Sequence, residues 1–189
     1  VFASSTSFSA SENQLSIGTV TATDVDTDDT LITYSVSGND LTITSDGILS
    51  FVELPDYEIK TSYSATITAT DGANSSTQDI TVVVIDVNEP PVFSGLDSEI
   101  TYFRNVSRRS GEWVFDSAVI DLNSFISDPE SDAVTVSFSG TDSSYFEIDS
   151  TNGLFLSSFE QSQEKSIYQI VLSVTDGLLT TDKEIVVSV

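Results

Sequence analysis

The sequence predicts an all-β chain made of two tandem antiparallel β-sandwiches. Short segments rich in Val, Ile, Thr, Tyr and Phe are separated by clusters of Gly, Asp, Asn and Ser, and none keeps a helical apolar period. Apolar and polar residues alternate from Tyr63 to Thr70, which is typical of a strand with one buried face. Pro90 and Pro91 stand near the midpoint of the 189 residues and predict a stiff linker between two domains.

The strands of the first half are predicted in order from composition and turn signals. Six or seven short strands at this spacing are typical of a β-sandwich. The predicted strands are Ser16 to Ala22, Thr30 to Val36, Leu41 to Thr44, Ile48 to Val52, Ser62 to Thr70 and Thr77 to Val87. The last strand leads into the linker, where the prolines remove backbone donors and end the ladder.

The second half repeats the pattern of the first. Tyr63 to Gly72 (YSATITATDG) reappears 105 positions later as Tyr168 to Gly177 (YQIVLSVTDG). The turn and strand of Asp46 to Leu49 are matched to Asn152 to Phe155. Two copies of one module indicate a quasi-linear array.

The repeat sets the domain limits. The acidic loop at Asp24 matches the one at Asp128, and we expect domains at 1–89 and 90–189. The second domain carries about a dozen additional residues, in an extra segment near 97–113, which holds three of the six basic residues.

Composition excludes several function classes. The net charge is −24, from 30 acidic and 6 basic residues, so no basic footprint exists for nucleic acid or an anionic membrane. There is no cysteine for a disulfide and no histidine. No apolar run is long enough for a transmembrane helix, and no signal peptide opens the chain. We expect this chain to be part of a longer protein.

Catalysis is not expected. Asp56 and Glu58 form a carboxylate pair of the kind that hydrolyses glycosides, but they lie in loops with several acids, which suits a divalent cation better than one protonated acid. Without His or Cys, the common nucleophile pairs and zinc sites are missing, and no phosphate-binding glycine motif occurs.

Acidic clusters are the recurrent chemistry, and they fall at equivalent loops in both halves. Carboxylates within ~4 Å repel one another by ~1 to 4 kcal/mol unless a cation lies between them. Asp86, Asn88 and Glu89 add oxygen ligands of the type that calcium takes, directly after the last strand of the first half. The alternative is that these acids are only a solubilising surface.

The first half resembles a cadherin repeat. Five motifs carry the resemblance, in the family's order and spacing: Ser11-Glu12-Asn13, Ala22-Thr23-Asp24-Val25-Asp26, Pro55-Asp56-Tyr57-Glu58, Ala69-Thr70-Asp71-Gly72 and the linker DVNEPPVF at 86–93. The linker resembles those of bacterial cadherin-like repeats. The second half shares Asp128-Pro129-Glu130 and Thr175-Asp176-Gly177, and resembles a divergent cadherin or dystroglycan-type repeat.

The resemblance implies Greek-key, Ig-like sandwiches joined by a short calcium-binding linker. The implied ligands come from the lower end of the first repeat, the linker and the upper end of the second: Glu12, Asp56, Glu58, Asp86, Asn88, Glu89, Asp128, Glu130 and Asp176. It also implies a second, incomplete metal site, at Asp24, Asp26 and Asp71, which would face a preceding repeat.

Departures from the family pattern limit the implied ions. The family linker often reads Asp-x-Asn-Asp-Asn, whereas Glu89 is followed at once by Pro90, and Glu130 replaces a usual Asp. We therefore expect about one to three calcium ions at the junction. Gln161 and Gln163 stand where the first repeat has Asp56 and Glu58, so the lower end of the second repeat is expected to bind calcium poorly unless the neighbouring Glu160 and Glu164 serve instead.

The expected function is a calcium-rigidified spacer and adhesion module of a larger extracellular or cell-surface protein, with neighbouring cadherin-like repeats as partners. A homophilic dimer stays open. The alternative is recognition of a cell-surface protein or polysaccharide by the extra segment, through Tyr102, Arg104, Arg108, Arg109 and Trp113. The competing interpretation is structural: the tryptophan packs in the core, and the arginines pair with acidic residues on the surface.

Overall fold

The computed structural model describes residues 1–25, 31–102, 106–109, 112–115, 119–156 and 165–189, with the backbone alone described at 106–109, 112–115 and 156. The chain divides into two compact units, Val1–Asn88 and Glu89–Val189. Among the described residues, strands form the regular structure of both units, and short 3₁₀ helices occur at Leu122–Phe125 and Ser143–Tyr145. The predicted all-β class is confirmed.

The first unit is a two-layer sandwich of seven described strands. They are β1 (Ser7–Ser11), β2 (Ser16–Thr19), β3 (Thr33–Val36), β4 (Leu41–Ile43), β5 (Ile48–Phe51), β6 (Ser62–Thr70) and β7 (Ser75–Ile85). One sheet has the order β1-β7-β6-β3 and the other β2-β5-β4. Both sheets contribute to one core, in which Leu49, Ile67 and Val82 are fully buried.

The second unit contains the same two sheets with additions. Its strands are β8 (Val92–Phe93), β9 (Glu99–Thr101), β10 (Val106–Arg109), β11 (Glu112–Phe115), β12 (Ile120–Asp121), β13 (Ile126–Ser127), β14 (Thr135–Ser139), β15 (Phe146–Ile148), β16 (Gly153–Leu156), β17 (Ile167–Thr175) and β18 (Thr180–Ser188). The larger sheet has the order β14-β17-β18-β9 and the smaller one β12-β16-β15, while β13 pairs with β8 and β10 with β11. Tyr168, Leu122 and Leu154 are fully buried in the core.

One strand of each unit departs from the antiparallel prediction. β1, which the sequence did not predict, pairs with β7 in parallel, and β9 pairs with β18 in parallel. In both units the first strand of the larger sheet therefore lies beside the last strand of the unit. The segment Ser7–Ser11 (SFSAS) has no β-branched residue, which is why composition did not indicate it.

The strand register shows that the predicted match of Asp46 to Leu49 with Asn152 to Phe155 is displaced by one residue. Leu49 faces Ile43 across β4 and β5, and Leu154 faces Ile148 across β15 and β16, so the equivalent residues are again 105 apart. The equivalent of Gly47 is then Asn152, and both are in the left-handed region, with φ of 85° and 59°. Asn tolerates this conformation better than most side chains, so matching glycine to glycine misplaced the turn.

The additional residues lie later than predicted. The pairing of Glu99 with Val186 is equivalent to that of Ser7 with Thr81, so Glu99–Thr101 belongs to the framework shared by both repeats. The added length follows Tyr102 and includes the β10–β11 hairpin. The predicted extra segment near 97–113 therefore begins about five residues too early.

Candidate metal sites

Glu12 is the buried centre of the acidic cluster in the first unit. It follows β1, and its side chain is 3% exposed. Its own N–H donates to the carbonyl of Ile85 at 3.0 Å. One carboxylate oxygen accepts from the N–H of Tyr57 at 2.7 Å, and the other accepts from the N–H of Val87 at 2.8 Å. Glu12 thus ties the end of β1 to two segments that carry further acids.

Asp56 and Glu58 lie beside Glu12. Carboxylate oxygens of the three residues are all within 4.8 Å of one another. The N–H of Ile59 donates to Asp56 Oδ1 at 2.9 Å, which fixes the turn that positions Asp56. The first unit therefore brings together three of the predicted ligands.

The pKa of Glu58 is raised above its ordinary value. Desolvation is the main cause, a hydrogen bond with its own backbone opposes it, and the negative charges of Glu12, Asp86 and Asp56 raise the pKa further. Asp86 thus acts electrostatically on the same group of acids, although it is itself exposed. Accumulated negative charge of this kind is what a divalent cation neutralises.

The second unit positions three of the predicted ligands near its start. The N–H of Glu89 donates to Glu130 Oε1 at 3.0 Å, and carboxylate oxygens of the two residues lie within 4.8 Å of each other. Asp128 Oδ1 accepts from the N–H of Asp132 at 2.9 Å. Asp128 Oδ2 is buried and has no hydrogen-bond partner among the described residues. A buried carboxylate oxygen in this state suits a cation ligand.

Asp71 and Asp176 occupy the same position in two matching hairpins. Asp71 Oδ1 accepts from the N–H groups of Ala73 and Asn74, at 2.8 and 2.6 Å. Asp176 Oδ1 accepts from Leu178 and Leu179, at 2.6 and 2.7 Å. The bonds from Asn74 and Ala73 lower the pKa of Asp71. One carboxylate oxygen of each aspartate therefore stabilises the turn of its hairpin.

The predicted second metal site is described in part. Asp24 and Asp71 line the same small crevice in the first unit, of about 40 Å³, together with Val1 and Ala22. Asp26 lies outside the described residues. Asn88, the remaining predicted ligand, is partly buried at the end of the first unit.

One of the five residues predicted to recognise a protein or polysaccharide ligand is buried in the structure. Tyr102 is 6% exposed and packs in the hydrophobic core of the second unit, so its ring cannot face a ligand. Arg104 lies outside the described residues, and the side chains of Arg108, Arg109 and Trp113 are not described.

Sequence reasoning missed an ion pair in the second unit that has a buried carboxylate. Asp142 is 5% exposed, accepts from the ammonium of Lys165, and also accepts from the N–H of Gln169 at 2.9 Å. In the first unit Lys60 pairs with Asp40 at 2.6 Å. Lys60 and Lys165 are 105 residues apart, so the repeat spacing was a signal for this shared pair.

In the part of the chain that the structure describes, no helix has the length and apolar character needed to cross a bilayer.

Comparison with known proteins identifies the domain type. Residues 6–88 match the cadherin domain. Human protocadherin Fat 4 is 30% identical over 184 residues, covering 92% of this chain, and human protocadherin Fat 1 is 29% identical over 150 residues, covering 77%. The chain spans only about 4% and 3% of the length of these relatives.

Solved structures share the fold over the whole chain. The EC1-2 fragment of human protocadherin-24 has a TM-score of 0.61 at 22% identity, covering 99% of this chain and 95% of that structure. The human desmocollin-1 ectodomain has a TM-score of 0.59 at 16% identity, covering 99% of this chain and 40% of that structure. Residues 6–88 therefore belong to the cadherin domain family, and the chain is an extracellular or cell-surface β-sandwich protein.

Proposed function

We propose that the chain is a calcium-rigidified spacer and adhesion module of a larger extracellular protein. The observation that carries the proposal is the convergence of Glu12, Asp56 and Glu58, whose oxygens lie within 4.8 Å of one another. Three carboxylates at this separation repel strongly unless a cation lies among them. The raised pKa of Glu58 reflects that repulsion together with desolvation.

The remaining implied ligands have the chemistry that calcium requires. Asp86, Asn88 and Glu89 supply linker oxygens, and Asp128, Glu130 and Asp176 belong to the second repeat. Calcium binds six to eight such oxygens, and extracellular modules bind it at about 10⁻⁴ to 10⁻³ M. Binding at the linker would hold neighbouring repeats as a stiff spacer. Asp24, Asp26 and Asp71 would form the corresponding half-site towards a preceding repeat.

Two finer assignments remain part of the proposal. The second half is a divergent cadherin-like or dystroglycan-type repeat, since its framework strands pair as those of the first. The likeness of the linker to bacterial repeats stays a prediction, because the matched relatives are human and mouse proteins. We propose no catalytic role. The burial of Tyr102 weakens the alternative of a ligand platform.

Calcium stoichiometry measured by isothermal titration tests the proposal. We expect about one to three ions for the unmodified chain, with Asp86→Ala lowering the affinity at least about tenfold or removing one ion. Asp97→Ala is the matched control, because Asp97 is an exposed acid of the second unit outside the predicted ligand set. Equal losses in the two variants, or no saturable binding by the unmodified chain, would contradict the proposal.

A further inference from the structure

The turn between β15 and β16 contains the one Asn-Gly pair of the sequence, Asn152 and Gly153. Asparagine followed by glycine is a chemically labile dipeptide, because glycine has no side chain to hinder attack by its own nitrogen. The Gly153 nitrogen loses its proton and bonds to Asn152 Cγ, and the Cγ–Nδ2 bond breaks to release ammonia. Water then opens the succinimide ring to aspartate or isoaspartate.

The conformation of the turn favours this labile pair. Asn152 has a φ of 59°, which asparagine and glycine adopt more readily than other residues. Gly153 is buried, and a Cβ at this position would lie 2.8 Å from Phe155 Cε2, so a larger residue would displace that ring. Backbone conformation at one position and packing at the next therefore place asparagine before glycine.

Asp149 binds the nitrogen that would react. Its Oδ1 accepts from the N–H of Gly153 at 3.0 Å, and from the N–H and hydroxyl of Thr151 at 2.8 and 2.7 Å. These bonds, the one from the Thr151 hydroxyl first, lower the pKa of Asp149, so its carboxylate is charged at neutral pH. Asn152 Nδ2 donates to Asn123 Oδ1 at 2.9 Å. Both reacting groups are thus held by hydrogen bonds.

The equivalent turn of the first unit has the same hydrogen bond without the labile pair. Thr44 occupies the position of Asp149, and its Oγ1 accepts from the N–H of Ile48 at 3.0 Å. Gly47, the equivalent of Asn152, has no side-chain amide to lose. The fold therefore accepts a neutral hydroxyl at this position, and the charged acceptor occurs in the repeat that carries the labile pair.

We propose that Asn152 is a site of spontaneous deamidation, and that Asp149 holds this reaction back while the turn is folded. The Gly153 nitrogen must give up its hydrogen bond to a charged acceptor before it can attack. The carboxylate also opposes the negative charge that develops on that nitrogen. Local opening of the turn frees both reacting groups. The inference is independent of the calcium proposal, because neither Asn152 nor Asp149 is a predicted ligand.

Deamidation at Asn152 would weaken the second unit. The N–H of Leu122 donates to the Asn152 carbonyl at 3.1 Å, and Leu122 is fully buried in the core. Isoaspartate routes the backbone through the side-chain carbon and lengthens it at this point. The carbonyl is then displaced from Leu122, so we expect the modified unit to melt at a lower temperature than the unmodified one.

Peptide mapping by mass spectrometry, during incubation of the whole chain at neutral pH, tests the inference. Deamidation replaces an amide by a carboxyl group and so changes the mass of the peptide that contains Asn152. We expect Asn152 to react at least about tenfold more slowly in the folded chain than in urea. Asp149→Thr should react faster than the unmodified chain and keep its circular dichroism, since the first unit carries Thr44 at this position. Asp149→Ala should be the fastest of the folded chains, because no side-chain acceptor remains for the Gly153 N–H.

Two further variants serve as controls. Asn152→Gly, which introduces the residue of the first unit, should show no mass change in this peptide. Asp46→Ala removes an exposed acid from the equivalent turn of the first unit and should leave the rate at Asn152 unchanged.

Equal rates in the folded and urea-unfolded chain, or a folded Asp149→Thr variant as slow as the unmodified chain, would overturn the inference. Acceleration by Asp46→Ala equal to that by Asp149→Thr would overturn it as well. A slower reaction in folded Asp149→Ala would also contradict it, and would make Asp149 a base for the cyclisation. If Asp149→Ala does not fold, Asp149→Thr decides the outcome.

Discussion

Glu12 and Glu58 belong to one acidic cluster but experience different environments. Both oxygens of Glu12 accept backbone N–H groups, so its charge is stabilised by the fold itself. The environment of Glu58 disfavours its charge, through desolvation and then the neighbouring carboxylates Glu12, Asp86 and Asp56. We infer that Glu12 organises the lower end of the first unit, whereas a cation beside Glu58 would favour its ionised form.

We expect Glu58→Gln to have opposite effects with and without calcium. A raised pKa means that the folded unit holds this proton more tightly than the unfolded chain does, so calcium-free stability falls as pH rises through that pKa. Replacing Glu58 by glutamine removes the loss of stability that accompanies ionisation of this side chain. In chelator at pH 7 the variant should melt at the same temperature as the unmodified chain or higher, whereas the stabilisation by calcium should shrink.

Glu12→Gln provides the comparison for that melting experiment. It replaces a charged acceptor of two backbone N–H groups, which should cost about 1 to 3 kcal/mol even in chelator. If Glu58→Gln lowered the melting temperature in chelator as much as Glu12→Gln does, the inferred repulsion at Glu58 would be wrong. If calcium stabilised Glu58→Gln as much as the unmodified chain, Glu58 would not be a ligand.

The connection between β14 and β15 is held by Asp142. Burial acts to raise the pKa of Asp142, but the hydrogen bonds from the Lys165 ammonium and the Gln169 N–H outweigh it and lower the pKa. This carboxylate therefore stabilises the second unit above the ordinary pKa near 4, and the contribution is lost as pH falls through the lowered folded-state pKa.

We expect Asp142→Asn to destabilise the second unit by about 1 to 3 kcal/mol at pH 7 and to flatten its acid dependence below about pH 4. Urea unfolding followed by tryptophan fluorescence measures this, because Trp113 is the only tryptophan and lies in the second unit. Asp40→Asn is the control, since Asp40 is exposed in its pair with Lys60; its effect is followed by circular dichroism, because the first unit has no tryptophan. An equally large effect of both variants would contradict a special role for Asp142.

Strands with regular alternation were predicted well from the sequence. β6 has the predicted limits, because alternation over Ser62 to Thr70 leaves one register that buries Ile67 and Ala69. The parallel pairing of β1 with β7 could not be predicted, since side-chain alternation does not encode strand direction. The turn at Asn152 was misplaced because two residue types can adopt a positive φ.

The sequence predicted which acids form a cluster better than it predicted what each acid does in the structure. The resemblance to cadherin repeats selected Glu12, Asp56 and Glu58, which the fold brings together. It could not show that Glu12 accepts two backbone N–H groups, because those donors come from segments 45 and 75 residues away. The set of ligands extending across the linker remains a prediction.

At the scale of the whole molecule, the net charge of −24 means that bound calcium would also reduce repulsion between the acidic repeats. We expect the maximum dimension from small-angle scattering to be larger and better defined in millimolar calcium than in chelator, because neutralised linker acids hold the repeats as a stiff spacer. Sodium chloride at matched ionic strength is the control, since it screens charge without binding. An unchanged maximum dimension would contradict the rigidified spacer.

The parallel pairing of first and last strands has a mechanical consequence. When a unit is pulled from its two ends, β1 and β7 are drawn in opposite directions along their common axis, so the ladder is sheared and does not unzip. Its five register pairs then resist together. The corresponding β9–β18 ladder has three pairs, so we expect the second unit to extend at the lower force.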